Sequence, residues 1–230
     1  MDAKKLSKRL AAVANMVDQN ARIADIGSDH AYLPTNLVLN KKITFAVAGE
    51  VVEGPFQNAQ HEIVNQQLTD RIKVRLADGL AAIKKEDNVD TVVIAGMGGL
   101  LISKILDEGN RFPNLILQPN TDEMAVRIWL QAHNYKIIKE DIVAEGQHTY
   151  EIIQAHTGKM MLNRQQLKFG PDLLKKRPEI WRQKWQHEIM RKKKVLKFLQ
   201  KAKKQQERIL ETSQEINLIE EVLGCQLSEG

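Results

Sequence analysis

Five short apolar runs, each followed by a helical pattern, restrict what this chain can fold into. Residues 22–26 (RIADI), 43–48 (ITFAVA), 72–76 (IKVRL), 91–95 (TVVIA) and 114–118 (NLILQ) are rich in β-branched residues and bounded by polar residues or glycine. Runs of this length and composition read as strands buried on both faces. The stretches 31–40, 55–68, 98–108 and 122–133 between them carry helical periodicity. Such alternation predicts a parallel sheet covered on both faces. Residues 135–144 and 148–156 read as two further strands, with Glu145-Gly146 turning an antiparallel hairpin at the sheet edge. A helix at about 3–17 precedes the first strand, with Leu6, Leu10, Val13 and Val17 along its apolar stripe. The expected fold is therefore α/β and Rossmann-like, mostly parallel with a C-terminal antiparallel hairpin.

The strand signal ends at about residue 157. Phe169-Gly170-Pro171 reads as a loop, with Pro171 opening a short helix. From Pro178 to Leu223 helix formers dominate and neither Gly nor another Pro intervenes. The predicted division is residues 1–157 as an α/β domain and 158–230 as a helical coiled-coil domain. A helical hairpin turning near 201–206 is preferred to a single helix there, because KAKKQQ offers almost no apolar surface. Trp181 and Trp185 are expected to pack the hairpin against the first domain. Charge supports the hairpin. Residues 175–204 hold 13 Lys and Arg against Glu179 and Glu188, whereas 205–230 hold six Glu against Arg208. The chain's net charge of +5 hides this contrast. A one-sided basic helix suggests contact with a polyanion, although a solvated face is the commoner explanation of a charge run.

The chemistry is expected at the strand ends. The first strand runs into Asp25-Ile26-Gly27-Ser28-Asp29-His30-Ala31-Tyr32-Leu33-Pro34. An acid, a turn glycine and a helix start form a nucleotide-type cofactor site. Dinucleotide binding is disfavoured: that fingerprint has three glycines to receive a pyrophosphate, and here Asp29 stands where a phosphate would be repelled. The same acid suits a cationic ligand carrying an ammonium group and hydroxyls, and S-adenosylmethionine is such a ligand. Glu50, with Val51 after it, lies 23 residues beyond Gly27, where a carboxylate accepts from a ribose diol. Asp78-Gly79-Leu80 offers an acceptor for an adenine amino group and an apolar side chain for the ring. Ala95-Gly96-Met97-Gly98-Gly99 allows close backbone approach, and Gln118-Pro119-Asn120 ends the fifth strand. Taken singly, each of these is more readily an ordinary turn or a solvated acid. Their order along the chain, each at a strand's carboxyl end, carries the argument.

Other classes lack their motifs. The six histidines form no metal-binding pattern, the single Cys225 rules out an internal disulfide, and no Walker loop or G-x-S-x-G elbow is present. No metal is expected. No apolar run approaches the ~18 residues of a membrane span, and the N-terminus is not a secretory signal, so a cytoplasmic protein is expected.

The segments DIGSDHAYLP, AGEVVEGP, LADGL, AGMGG and LQPN, followed by a helical C-terminal region, closely resemble the bacterial tRNA (adenine-N1)-methyltransferases that modify adenine 22. The resemblance spans the whole chain. It implies a class I methyltransferase domain, S-adenosylmethionine as donor, and a coiled-coil domain that helps hold tRNA. It also implies that Arg9 and Leu10 lie over the cofactor, with Asp25, Gly27, Ser28, Asp29, His30, Glu50, Val51, Asp78, Gly79, Leu80, Ala95, Gly96, Met97 and Gly98 around it. Asp29, Asn120 and Tyr32 are the expected catalytic residues: Asp29 for negative potential near the sulfonium, Asn120 for the adenine edge, Tyr32 for stacking, with Tyr150 a second stacking candidate that reads more readily as a core residue. Asp29 as a mere helix cap is the alternative. Lys184, Arg191, Lys192, Lys193, Lys194 and Lys197 are the expected tRNA contacts. A monomer is favoured. A small-molecule methyltransferase would share every cofactor residue, but the basic helix argues against it. An inert interaction protein would not need the acids at Asp25, Glu50 and Asp78.

Overall fold

A computed structural model describes residues 3–201 and 206–224. Every expected strand forms: β1 (Arg22–Ile26), β2 (Phe45–Glu50), β3 (Ile72–Leu76), β4 (Thr91–Gly98), β5 (Asn114–Thr121), β6 (Tyr135–Glu145) and β7 (His148–Thr157). They make one sheet in the order β3-β2-β1-β4-β5-β7-β6. The pairs among β1 to β5 are parallel, whereas β7 is antiparallel to both β5 and β6. The later strand of the hairpin thus inserts beside β5 and leaves β6 at the edge. Strand order reverses between β1 and β4, so their carboxyl ends diverge into a crevice.

Helices α1 (Lys8–Met16), α2 (Tyr32–Leu39), α3 (Glu53–Asn65), α4 (Gly99–Glu108) and α5 (Glu123–Ala132) flank the sheet. Alternation along the central strands assigns their two faces. Ile23 and Val93 join the core formed with α1, α2 and α3, while Ala24, Ile26, Val92 and Ile94 join that of α4 and α5. Both faces being apolar, these strands read as continuous hydrophobic runs rather than alternating ones. Several elements differ from expectation in extent, α1 and β4 among them. Helix α1 starts at Lys8 because Ser7 caps it, its hydroxyl accepting from the Leu10 amide at 3.3 Å. Strand β4 runs on to Gly98, with register shifts between Ala95 and Gly98 where a loop was expected.

The chain forms two compact units, Met1–Lys175 and Lys176–Gly230. The first extends past the division expected after residue 157. Helices α6 (Arg164–Phe169) and α7 (Pro171–Lys176) follow β7, and a buried ion cluster ties their backbone to the sheet. Arg127 of α5 donates from Nε to Glu140 at 2.8 Å, pairs with Glu151, and donates from Nη1 to the Leu167 carbonyl at 3.3 Å. Glu140 in turn accepts the Asp172 amide at 2.9 Å, and Phe169 and Leu173 are buried. Loss of β periodicity therefore marked the end of the sheet and not the end of the unit.

In the second unit α9 (Gln206–Leu223) packs along α8 (Glu179–Lys201). Lys192 pairs with Glu215, and Lys193 with Glu220 at 2.7 Å, while Ile189, Leu199, Ile216, Ile219 and Val222 are buried. The turn expected near 201–206 and Cys225 fall outside the described residues. Among the described residues no helix is long and apolar enough to cross a membrane, and no group of three or more His, Cys, Asp or Glu could hold a metal ion.

Candidate active site

The carboxyl ends of β1 and β2 are stitched together. The amides of Gly27 and Ser28 donate to the Gly49 carbonyl at 2.9 and 3.3 Å, and the Asp29 amide donates to Glu50 Oε1. Gly27 has φ +70°, and a Cβ there would lie 2.2 Å from the Met97 methyl carbon, so β4 closes over the turn. Beneath it lies Asp25, buried, with Oδ2 accepting from the Ser28 hydroxyl at 2.5 Å. Burial pushes the Asp25 carboxyl up to about 7; the Ser28 hydrogen bond opposes this, and the neighbouring Glu50 charge adds to it. Burial raises Glu50 as well.

Asp29, His30 and Ala31 follow with φ of +42°, +67° and +55°. Three successive non-glycine residues in the left-handed region cost about 1–3 kcal/mol each, strain of a kind that gathers at functional sites. The α2 N-cap position falls on Ala31, without a side-chain bond, so Asp29 does not cap the helix. Its carboxylate is exposed, 3.6 Å from His30 Nε2, and the His30 ring stacks on Tyr32 with centroids 5.2 Å apart.

At the next tip Asp78 is exposed at the N-cap of a 3₁₀ turn, Gly79–Ala82, and its side chain makes no cap bond. Gly79 takes φ +48°. Leu80 is a core residue, its side chain among Ile102 and Leu106, which leaves its backbone rather than its side chain for a ligand. Val51 is exposed beside Glu50.

The tips of β4 and β5 are linked by a chain of hydrogen bonds that sequence reasoning missed. Asn120 Nδ2 donates to the Gly96 carbonyl at 2.7 Å, Gln118 Nε2 donates to Asn120 Oδ1 at 3.1 Å, and Arg9 Nη1 donates to Gln118 Oε1 at 2.6 Å. Arg9 is itself held: its amide donates to Glu145 Oε2 at 2.8 Å, and its guanidinium lies 5.6 Å from the Tyr150 ring centre. It also lies over Gly96, where a Cβ would come 3.3 Å from Nη1. Leu10, next to it, is half-buried in α1. Gln118, read in the sequence only as part of the fifth strand's end, is fully buried and links Arg9 to Asn120. Glu145 was read only as part of the hairpin turn, and Tyr150, considered for stacking on the base, instead faces the Arg9 guanidinium. The glycines from 96 to 99 also serve the chain itself. At Gly99 a Cβ would lie 2.3 Å from the Asp122 carbonyl oxygen.

The strand tips therefore bring Asp25, Gly27, Ser28, Asp29, Glu50, Met97, Gly96, Asn120 and Arg9 into one contiguous network. Its donor set fits S-adenosylmethionine: a buried carboxylate for an ammonium or sulfonium charge, further acids for hydroxyl and amino groups, and glycines where a Cβ would intrude.

The six expected tRNA contacts separate. Arg191 is bound at both Nε and Nη2 by Glu188 at 2.8 Å, while Lys192 and Lys193 pair with glutamates of α9. Lys184 lies over the Trp185 ring at 5.3 Å. Lys194 and Lys197 are exposed and make no ion pair among the described residues. Phe198, 72% exposed, stands beside them.

Sheet order and crevice together define a class I methyltransferase domain. The sequence profile of the tRNA (adenine(22)-N(1))-methyltransferase family matches residues 23–221. The Bacillus subtilis tRNA (adenine(22)-N(1))-methyltransferase is 37% identical over 97% of this chain and 99% of its own. A Streptococcus pneumoniae protein crystallised with S-adenosyl-L-methionine superimposes with a TM-score of 0.89 at 43% identity, covering 95% of this chain and 100% of that one. Mycoplasma capricolum TrmK with S-adenosyl-homocysteine gives 0.86 at 31% identity, covering 96% and 98%. This chain belongs to the tRNA (adenine(22)-N(1))-methyltransferase family.

Proposed function

We propose that this chain transfers a methyl group from S-adenosylmethionine to N1 of adenine 22 in tRNA. The observation that carries the proposal is the buried Asp25 carboxylate at the switch point, ringed by the acids and glycines of the neighbouring strand tips. In this reading Asp25, with Gly27, Ser28 and His30 around it, faces the methionine end of the donor. Glu50 has spent Oε1 on the Asp29 amide and meets the ribose diol through its other oxygen. Asp78 takes the adenine amino group, with Val51, Gly79 and the Leu80 backbone alongside. Arg9, Leu10 and the stretch from Ala95 to Gly98 close over the donor.

When bound, S-adenosylmethionine supplies an electrophilic methyl group on a sulfonium sulfur. Adenine N1 carries a free lone pair, so no base must first remove a proton, and the displacement needs neither a metal nor a covalent intermediate. The protein's work is positioning and stabilising the positive charge that develops on the ring. Asn120 is pre-oriented, with Nδ2 on Gly96 and Oδ1 on Gln118. One N–H and one lone pair remain for the adenine edge. The exposed Asp29 carboxylate supplies negative potential, and Tyr32, stacked on His30, extends a ring platform to the base.

The helical unit is the tRNA grip, with Lys194 and Lys197, which make no ion pair among the described residues, offered to phosphates, Phe198 beside them for stacking, and Lys184 near the start of α8. Arg191, Lys192 and Lys193 serve the hairpin's own ion pairs first. The reaction places the chain in the cytoplasm with its tRNA, and no step calls for a second copy. Incubation with unmodified tRNA and donor, then mapping of methylated nucleotides by nuclease digestion and mass spectrometry, tests the proposal. N1-methyladenosine at position 22 is expected. Methylation at another nucleotide, or of small metabolites alone, overturns it.

A further inference from the structure

Three large apolar side chains stand in solvent just beyond the tips of β4 and β5. Leu100 is 67% exposed, Leu101 49% and Met124 36%. They occupy the first turns of α4 and α5, which begin where β4 and β5 deliver the candidate site. The junction between those two helix starts is tight, Gly99 lying against the Asp122 carbonyl. Asn120, whose amide holds the Gly96 carbonyl, stands close to it in the chain. Helix α4 buries Ile102 and Leu106 on its other face, so the fold does not call for leucine at 100 and 101.

Adenine N1 lies on the Watson–Crick edge and is not reached while the base is stacked. The target must leave its stack, which exposes the faces of its two neighbours. Base faces are the apolar surface that a nucleic acid offers, and aliphatic side chains inserted at base steps hold such gaps open. We propose that Leu100 and Leu101, supported by Met124, form the extrusion wedge of this enzyme. They fill the space vacated by the target adenosine and pack against the bases that flanked it. The inference rests on the tRNA-methylation reading above. These helix starts follow directly on the strand tips that carry the candidate site, and this favours bases over a protein partner.

The test uses the full chain with Leu100→Ala and Leu101→Ala combined. Both side chains are exposed, so the melting temperature and donor affinity should match the wild type. On unmodified tRNA the variant should lose about tenfold or more in kcat with little change in KM, since part of the unstacking cost is no longer offset. On the same tRNA with an abasic site in place of the nucleotide facing the target, its rate should return to near that of the wild type. Methionine at both positions should retain the rate. Equal loss on both tRNAs, no loss on either, weakened donor binding, or a change of oligomeric state would each refute the wedge. A wild-type chain inactive on both tRNAs would instead refute the methylation reading beneath it.

Discussion

Replacing Asp25 by Asn should make the protein more stable and less able to hold its donor. An ordinary aspartate titrates near 3.8, whereas burial moves Asp25 to about 7. Each pH unit of such a difference is worth 1.36 kcal/mol, so ionising Asp25 in the folded chain costs about 4 kcal/mol more than in the unfolded chain. The sign follows from proton binding. Between pH 3.8 and 7 the folded chain holds a proton at Asp25 that the unfolded chain has released, so stability falls as pH rises through this window and levels off above 7. An asparagine has no such penalty, and its carbonyl still accepts from the Ser28 hydroxyl. The stability gained by Asp25→Asn should be about 2 kcal/mol at pH 5.5 and about 4 kcal/mol at pH 8, as upper bounds. Urea unfolding of both proteins at the two pH values measures it. Donor binding should show the opposite preference. A cation beside residue 25 favours the ionised form, so wild-type affinity for S-adenosylmethionine should rise between about pH 6 and 8 while that of the variant stays weak and flat. Calorimetric titration reads this. A variant less stable than wild type at both pH values, or one whose advantage does not grow with pH, would refute the argument from burial.

The remaining predictions concern packing and charge. Gly99→Ala drives a Cβ against the Asp122 carbonyl and should cost roughly 1–3 kcal/mol in urea unfolding, while Gly98→Ala, whose Cβ would meet only the Thr121 hydroxyl at 3.4 Å, should be nearly neutral. Arg127→Met strands Glu140 and Glu151 in the core and should cost about 3–5 kcal/mol, with limited proteolysis cutting first between residues 158 and 170. Reversing Lys194 and Lys197 to Glu should weaken tRNA binding and flatten its salt dependence, read by filter binding across a salt series, by about one unit of slope for each phosphate no longer neutralised. Arg191→Ala should change binding less, because Glu188 already occupies that guanidinium.

The sheet was legible because its strands are buried on both faces. A run such as Val92-Val93-Ile94 sends alternate side chains into two separate cores, so apolar character is unbroken and the strand announces itself. Helices α2 to α5 began within about two residues of expectation for a related reason, since turns at strand ends and an apolar stripe fix where a helix begins. The insertion of β7 between β5 and β6 was not legible. A hairpin read from sequence states which strands pair with each other but not which of them meets the rest of the sheet. Nor was the attachment of α6 and α7 to the first unit, because it depends on Arg127 reaching backbone carbonyls 40 residues away, a contact with no periodicity.

The candidate site divides along the same physical line. Acids and glycines at strand tips are local signals: each constrains its own turn, and the sheet's topology then gathers them without further instruction. The chain from Arg9 through Gln118 to Asn120 is different, since its links join elements distant in sequence and the residues that anchor it, Glu145 and Tyr150, sit on a third. The glycines show both cases at once. Gly27 and Gly96 were read as room for a ligand, yet a Cβ at either would first meet Met97 or Arg9 of the chain itself. Their small size is needed to bring the protein's own groups against the crevice, and the ligand approaches a surface already built by that closeness. The conformational cost of Asp29, His30 and Ala31 has the same origin. A left-handed path carries the chain from the buried Asp25 to the start of α2 and leaves the Asp29 amide on Glu50. Strain at this turn and burial of Asp25 are two expressions of one arrangement, in which stability is given up where a cation is to be received.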